Sequence, residues 1–182
     1  MTNRMICVLG IDPGLSGAIA FYYSSHPHLI AVEDMPIIAG DVSAADLAAR
    51  INMVRPDAAI IELVGARPGQ GVSSMFKFGK SFGVTIGVCQ ALKIPTHFVT
   101  PQKWKKHFGL GADKDESRMR ATEYWPDRPE LFAKKKHDGR AEAALIARYG
   151  AEVFYSAVAE PGAVVRQEEV VSAISSNLEG LA

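Results

Sequence analysis

Four acidic residues in three separated segments sit in surroundings that aim carboxylates at a common point. They are Asp12 in Ile11-Asp12-Pro13-Gly14, Glu62 in Ile60-Ile61-Glu62-Leu63, and Asp138 with Glu142 in the run from His137 to Leu145. The first two close apolar runs that read as strands. The other two lie four apart on a predicted helix and so share one face. Carboxylates crowded together repel one another and resist ionisation unless hard cations neutralise them. A magnesium site is the natural reading of such a set. Simpler roles stay open for each: Asp12 starting a turn, Glu62 paired with an arginine, Asp138 capping a helix, Glu142 solvated.

The elements that must position these acids follow from hydrophobic period and punctuation. Met5 to Ile11 reads as a buried strand, Pro13 to Gly17 as a turn, and Ala18 to Tyr23 and Leu29 to Met35 as two further strands of an antiparallel meander. Ser43 can cap a helix whose apolar positions Leu47, Ile51 and Val54 repeat at helical spacing, with Pro56 after its end. Ala58 to Val64 is a fourth strand, too apolar for a solvated edge. Arg67 to Ser73 is a Gly-rich loop, and Ser74 to Leu92 a long helix with Gly79, Gly83 and Gly87 spaced by four. Such a stripe suits close approach of another backbone, within the fold or across a dimer interface, because each glycine costs a helix roughly 1 kcal/mol against alanine.

Thr96 to Thr100 gives a fifth strand, and Pro101 starts a short helix from Gln102 to Phe108. Asp113 caps a helix running to about Tyr124. Lys134-Lys135-Lys136 precedes a last helix over 137–149, with Gly150 as its expected stop. Beyond it, 151–182 is an acidic extension with a possible helix from Val165 to Leu178. This order predicts an α/β domain over 1–150: a mixed five-stranded sheet flanked by helices, matching the ribonuclease H-like architecture. Its first strand lies centrally beside the fourth, which brings Asp12 and Glu62 together.

Composition narrows the function classes. A chain of 182 residues, 48% hydrophobic, suits one compact soluble domain. No apolar run approaches the ~18 residues of a membrane span, so no membrane partner is expected. Cys7 and Cys89 lack ligand spacing and read as buried thiols of a reducing cytoplasm. The zero net charge hides an asymmetry: residues 1–150 hold 19 basic and 15 acidic residues, a balance of +4, and 151–182 hold one basic and five acidic, a balance of −4. Residues 93–150 alone carry 13 basic against 8 acidic, or +5. A basic surface beside an acidic metal site suits a phosphate-backbone substrate.

Five segments in order make the resemblance specific: Gly10-Ile11-Asp12-Pro13-Gly14, the strand ending in Glu62, Phe78-Gly79-Lys80-Ser81-Phe82-Gly83, Pro101-Gln102-Lys103-Trp104-Lys105-Lys106, and Asp138 to Ala147. Over residues 5–150 the chain resembles the RuvC-type Holliday junction resolvases, and among them the short versions carried by bacteriophages. The resemblance implies a homodimeric endonuclease of bacterial or phage-infected cytoplasm. It would cut four-way DNA junctions by paired symmetric nicks, using two Mg²⁺ ions per site with Mn²⁺ as substitute. It implies that Asp12 bridges the metals, with Glu62, Asp138 and Glu142 completing the cage, and that Lys105 and Lys114 contact the scissile phosphate. One departure stands out: cellular members place two aspartates three apart on the last helix, whereas here the second acid is Glu142, at four.

Around that centre Lys103, Lys106, Lys134, Lys135, Lys136 and Arg140 would form a basic track for DNA. Arg67 and Gln70 would reach the junction from the Gly-rich loop. Phe76, with Met75 beside it, is the candidate for stacking on unpaired bases, with core packing as the plainer alternative. Phe78 and Phe82 are expected to pack inward, and Trp104 to lie in the core rather than on DNA. His137 is expected to be an exposed neighbour of the cage rather than a ligand. Three rivals remain open on sequence alone. They are a related metal nuclease acting on forks, flaps or RNA–DNA hybrids, a single lobe of an actin-like ATPase, and a catalytically silent DNA-binding scaffold.

Overall fold

The computed structural model describes residues 6–155 except 64, 66–68 and 70. The backbone turns the apolar runs into strands β1 (Cys7–Asp12), β2 (Ala18–Tyr23) and β3 (Ile30–Asp34). Helix α1 (Ala44–Val54) is capped by Ser43, whose Oγ accepts the Asp46 N–H at 3.3 Å, and it ends at Arg55 in a left-handed conformation. Then come β6 (Ala58–Glu62), α2 (Val72–Ala91), β7 (Thr96–Val99) and α3 (Pro101–His107). Helix α4 (Lys114–Tyr124) is capped by Asp113, and α5 (Asp138–Phe154) closes the described chain. Between β3 and α1 lies a small hairpin of β4 (Ile37–Ile38) and β5 (Asp41–Val42) that no pattern in the sequence marks. Strands of two residues are too short to show a period; their turn at Ala39 and Gly40, both with positive φ, is what makes them.

The five long strands form one mixed sheet in the order β3-β2-β1-β6-β7. β1 pairs antiparallel with β2 from Cys7–Tyr23 to Asp12–Ala18, and parallel with β6 from Val8–Ala58 to Ile11–Ile61. Alternation then assigns the two faces. Leu9, Ile11, Ala59 and Ile61 pack with Leu47 and Ile51 of α1 and Cys89 of α2. Val8, Ala58 and Ile60 pack on the other side with Trp104 of α3, Ala121 of α4 and the alanine-rich stripe of α5. Burying an aliphatic side chain of this size is worth roughly 1.5–3 kcal/mol, so these two layers hold the sheet between its helices.

Two glycines set how closely α5 lies on the sheet. A Cβ at Gly10 would fall on the Ala143 carbonyl and the Ala147 backbone, and a Cβ at Gly150 would fall on Ile60. Gly150 is therefore not the helix stop expected from sequence. It is an interior contact glycine, and α5 continues to Phe154, with Tyr155 buried behind it. The glycine stripe of α2 has the opposite character. Among the described residues, a Cβ at Gly79, Gly83 or Gly87 would meet nothing within 4 Å, so no described backbone packs against this stripe. Both cysteines are buried, which pushes their thiols up to about 12 for Cys7 and about 11 for Cys89. Among the described residues no helix is long and apolar enough to cross a membrane. The expected helix from Val165 to Leu178 lies outside the described residues.

Candidate active site

β1 and β6 run parallel and side by side, and both end in an acid one residue past the Ile11–Ile61 pair. Alternation from Val8 and Gly10, and from Ala58 and Ile60, places Asp12 and Glu62 on the face that α5 covers. Helix α5 crosses the sheet with its N-terminus at this same edge: Gly150 lies over Val8 and Ile60, Gly10 under Ala143 and Ala147, and Gly139 against the Asp12 turn. Asp138 and Glu142, on the first turns of α5, therefore arrive where the two strands end. A helix N-terminus favours carboxylates there through its unpaired N–H groups.

Asp12 is seated by its own turn, with Oδ1 accepting the Gly14 N–H at 3.3 Å and the turn closed by Gly17 N–H to Gly14 O at 3.0 Å. Gly139 allows α5 to sit on that turn. A Cβ at residue 139 would stand 2.5 Å from the Ser16 carbonyl and 3.2 Å from Asp12 Oδ2. Asp12 and Asp138 line one cleft of about 440 Å³, together with Ser74, Lys77 and Phe78 from the first turns of α2. These three α2 residues join the site beyond those the sequence motifs assign to it. Their spacing of three and four from Ser74 puts them on one helix face, and that was the signal available.

Glu62 and Glu142 are held differently. Both are buried, at 6% and 9% exposure, where an unpaired charge is costly. Glu62 Oε1 accepts the indole N–H of fully buried Trp104 at 2.8 Å. Glu142 Oε1 pairs with Lys105 Nζ at 3.1 Å, and the same ammonium lies 5.2 Å from the centre of the Trp104 ring. Trp104 is thus a core residue, as expected, but one whose polar edge meets a site acid. Among the described residues no three His, Cys, Asp or Glu side chains stand close enough together to hold a metal ion as they are. The backbone brings the four acids to one edge; Asp12 and Asp138 line the cleft, and Glu62, Trp104, Lys105 and Glu142 form a chain of contacts. The donor set is nonetheless all carboxylate oxygen, which suits a hard divalent cation.

The other expected residues fall into three groups. Lys103, Lys106, Lys134, Lys135 and Lys136 are exposed, and Lys114 opens α4, its side chain not being among those described. Arg67 and Gln70 lie outside the described residues. Arg140 is already engaged, with Nε and Nη2 donating to Asp34 Oδ1 and Oδ2 at 2.5 and 2.7 Å. This fork holds the Asp34 carboxyl below the usual range and ties the end of β3 to α5. Phe76 is 70% exposed at the start of α2, beside Met75, so the core alternative does not hold for it. Phe78 is half-buried and stacks on Phe82, which in turn meets Phe98.

His137 corrects the sequence reading: it is buried, not exposed. The Lys135–His137 3₁₀ turn keeps the lysines outward and folds the ring under, where Nδ1 accepts the Lys134 N–H at 3.4 Å. Burial lowers the His137 pKa, with the cations of Arg140, Lys136 and Lys134 adding to it and Asp34 opposing.

This architecture is shared with solved structures of junction resolvases. Thermus thermophilus RuvC in complex with a Holliday junction substrate superposes with a TM-score of 0.57 at 15% identity, covering 82% of this chain and 97% of its own. Thermus thermophilus RuvC alone gives 0.52 at 16%, covering 81% and 96%. The yeast mitochondrial Holliday junction resolvase Ydc2 gives 0.52 at 17%, covering 78% and 76%. The chain matches no protein-family model and no curated protein sequence. At these identities the likeness is one of fold, and the fold is the mixed five-stranded, ribonuclease H-like sheet of the RuvC resolvases.

Proposed function

We propose that this protein is a divalent-metal-dependent endonuclease that resolves four-way DNA junctions as a homodimer. It would use two Mg²⁺ ions per site, with Mn²⁺ as substitute, in bacterial or phage-infected cytoplasm. The observation that carries this reading is the delivery of Asp12, Glu62, Asp138 and Glu142 to one edge of a RuvC-type sheet, by two adjacent strand ends and one helix N-terminus. When bound, hard divalent ions supply an activated water and neutralise charge at the leaving 3′-oxygen of a phosphodiester. Asp12 and Asp138 would hold them from the cleft, and Glu62 and Glu142 from the buried side.

The remaining residues act on the DNA. With a divalent ion neutralising Glu142, the Lys105 ammonium would be free to meet the scissile phosphate, and Lys114 at the head of α4 would join it. Lys103, Lys106, Lys134, Lys135 and Lys136 give the phosphate backbone an exposed cationic track, and Arg140 would contribute once exchanged from Asp34. Exposed Phe76, beside Met75, would stack on bases unpaired at the crossover. The open glycine stripe of α2 is the surface where a second copy would pack, setting two sites against the two strands to be cut.

A panel of end-labelled substrates of equal length in Mg²⁺ tests this directly. Preferential cleavage of the four-way junction over duplex, fork and RNA–DNA hybrid is the expected result. Cleavage mainly of forks or hybrids would move the function to another nuclease of this fold. A monomer in sedimentation on junction DNA would remove the symmetric mechanism.

A further inference from the structure

Trp104 has no part in the chemistry above, yet it stands between the two buried acids. Its ring is fully buried on α3, and a buried indole N–H needs an acceptor. The chain's other tryptophan meets that need with a backbone carbonyl, Trp125 Nε1 donating to Pro27 O at 3.0 Å. Trp104 instead donates to a carboxylate, Glu62 Oε1 at 2.8 Å, from 42 residues away in sequence. Against its face lies Lys105 Nζ, which pairs with Glu142 Oε1 at 3.1 Å. One rigid side chain therefore meets the acid of β6 with its edge and, through Lys105, the acid of α5.

We infer that Trp104 is a positioning residue for the metal-binding carboxylate of Glu62: its N–H fixes the rotation of that carboxylate. The inference rests on reading this site as a divalent-metal centre. A glutamate ending a strand has three side-chain torsions, and a donor locked in the core removes most of that freedom. Charge-assisted hydrogen bonds to a carboxylate are short and directional, as this one is. Hydrogen-bond partners behind a metal ligand commonly change metal affinity by 10–100-fold when removed.

The test is Mn²⁺ binding by titration calorimetry on the full chain without DNA, comparing wild type, Trp104→Phe, Trp125→Phe and Glu62→Gln. Both tryptophan variants keep a ring and lose one buried N–H, so Trp125→Phe controls for a purely structural loss. Trp104→Phe should weaken Mn²⁺ binding by about tenfold or more, and Trp125→Phe should leave it unchanged. Wild-type affinity in Trp104→Phe, or an equal loss in both variants, overturns the inference while leaving the metal reading intact. Wild type that binds no Mn²⁺, or binds it equally after Glu62→Gln, overturns the metal reading and the inference together. Should Trp104→Phe not fold, the wild-type indole N–H signals in an ¹⁵N-resolved Mg²⁺ titration ask the same question. Trp104 should shift and Trp125 should not; a Trp104 signal unmoved at saturating Mg²⁺ overturns the inference.

Discussion

Replacing Lys105 by methionine removes the ammonium that faces Glu142 and keeps most of the apolar stem. The pair measures 3.1 Å, with side-chain exposures of 16% for Lys105 and 12% for Glu142. Breaking a fully buried pair by deleting one partner costs about 3–5 kcal/mol, because the other charge is left stranded; scaled down for this residual exposure, roughly 2–3 kcal/mol is expected. With a urea slope of about 2 kcal/mol per molar for a domain of this size, the midpoint should fall by about 1–1.5 M. The double variant Lys105→Met/Glu142→Gln removes both charges and should recover much of that loss, giving a coupling of about 1.5–3 kcal/mol in a double-mutant cycle. Mg²⁺ sharpens the test, since a ligand that binds only the folded state stabilises it. It should stabilise Lys105→Met more than wild type, because the ammonium no longer competes for Glu142. A coupling under about 0.5 kcal/mol, the value of an exposed pair, would refute the burial argument. Equal Mg²⁺ stabilisation of both proteins would refute the shared-carboxylate argument.

Other perturbations probe the frame and the DNA surface. Gly10→Ala should destabilise by at least about 1–3 kcal/mol, since its Cβ would land on the α5 backbone at Ala143 and Ala147; an unchanged melting temperature would mean the helix can lift without loss. Phe76→Ala should leave stability unchanged, as the ring is 70% exposed. It should weaken junction binding by about 1–3 kcal/mol if the ring stacks on a base; fluorescence anisotropy decides. His97 is buried against Phe154, with no hydrogen-bond partner for Nε2 among the described residues, and burial lowers its pKa. Its contribution to stability is therefore full above the unfolded-state pKa of about 6.5 and is lost as pH falls through the lower folded value. Urea midpoints between pH 8 and pH 5 should show a smaller fall for His97→Phe than for wild type, and parallel curves would sink that assignment.

Asp12 and Glu62 were legible because each ends a run whose alternation and β-branched content mark a strand. Two parallel neighbours with acids at the same end can hardly avoid bringing them together. Asp138 and Glu142 were legible from a helix start and a spacing of four. The partners were not. Glu62 finds Trp104 across 42 positions and Arg140 finds Asp34 across 106, and such pairings are set by register and helix packing rather than local pattern. Gly150 read as a stop because glycine commonly ends helices; only the distance to Ile60 reveals an interior contact. His137 read as exposed because three lysines precede it, whereas a 3₁₀ turn separates the ring from its neighbours' direction.

The most direct measurement is the cleavage pattern of an end-labelled four-way junction in Mg²⁺ on a denaturing gel, with wild type beside Asp138→Asn. The expected result is a pair of nicks placed symmetrically across the junction, leaving 5′-phosphate ends that ligase can seal, and absent from the Asp138→Asn lanes although that variant still binds the junction. Tight junction binding with no cleavage in Mg²⁺ or Mn²⁺, or cleavage undiminished in Asp138→Asn, would contradict it.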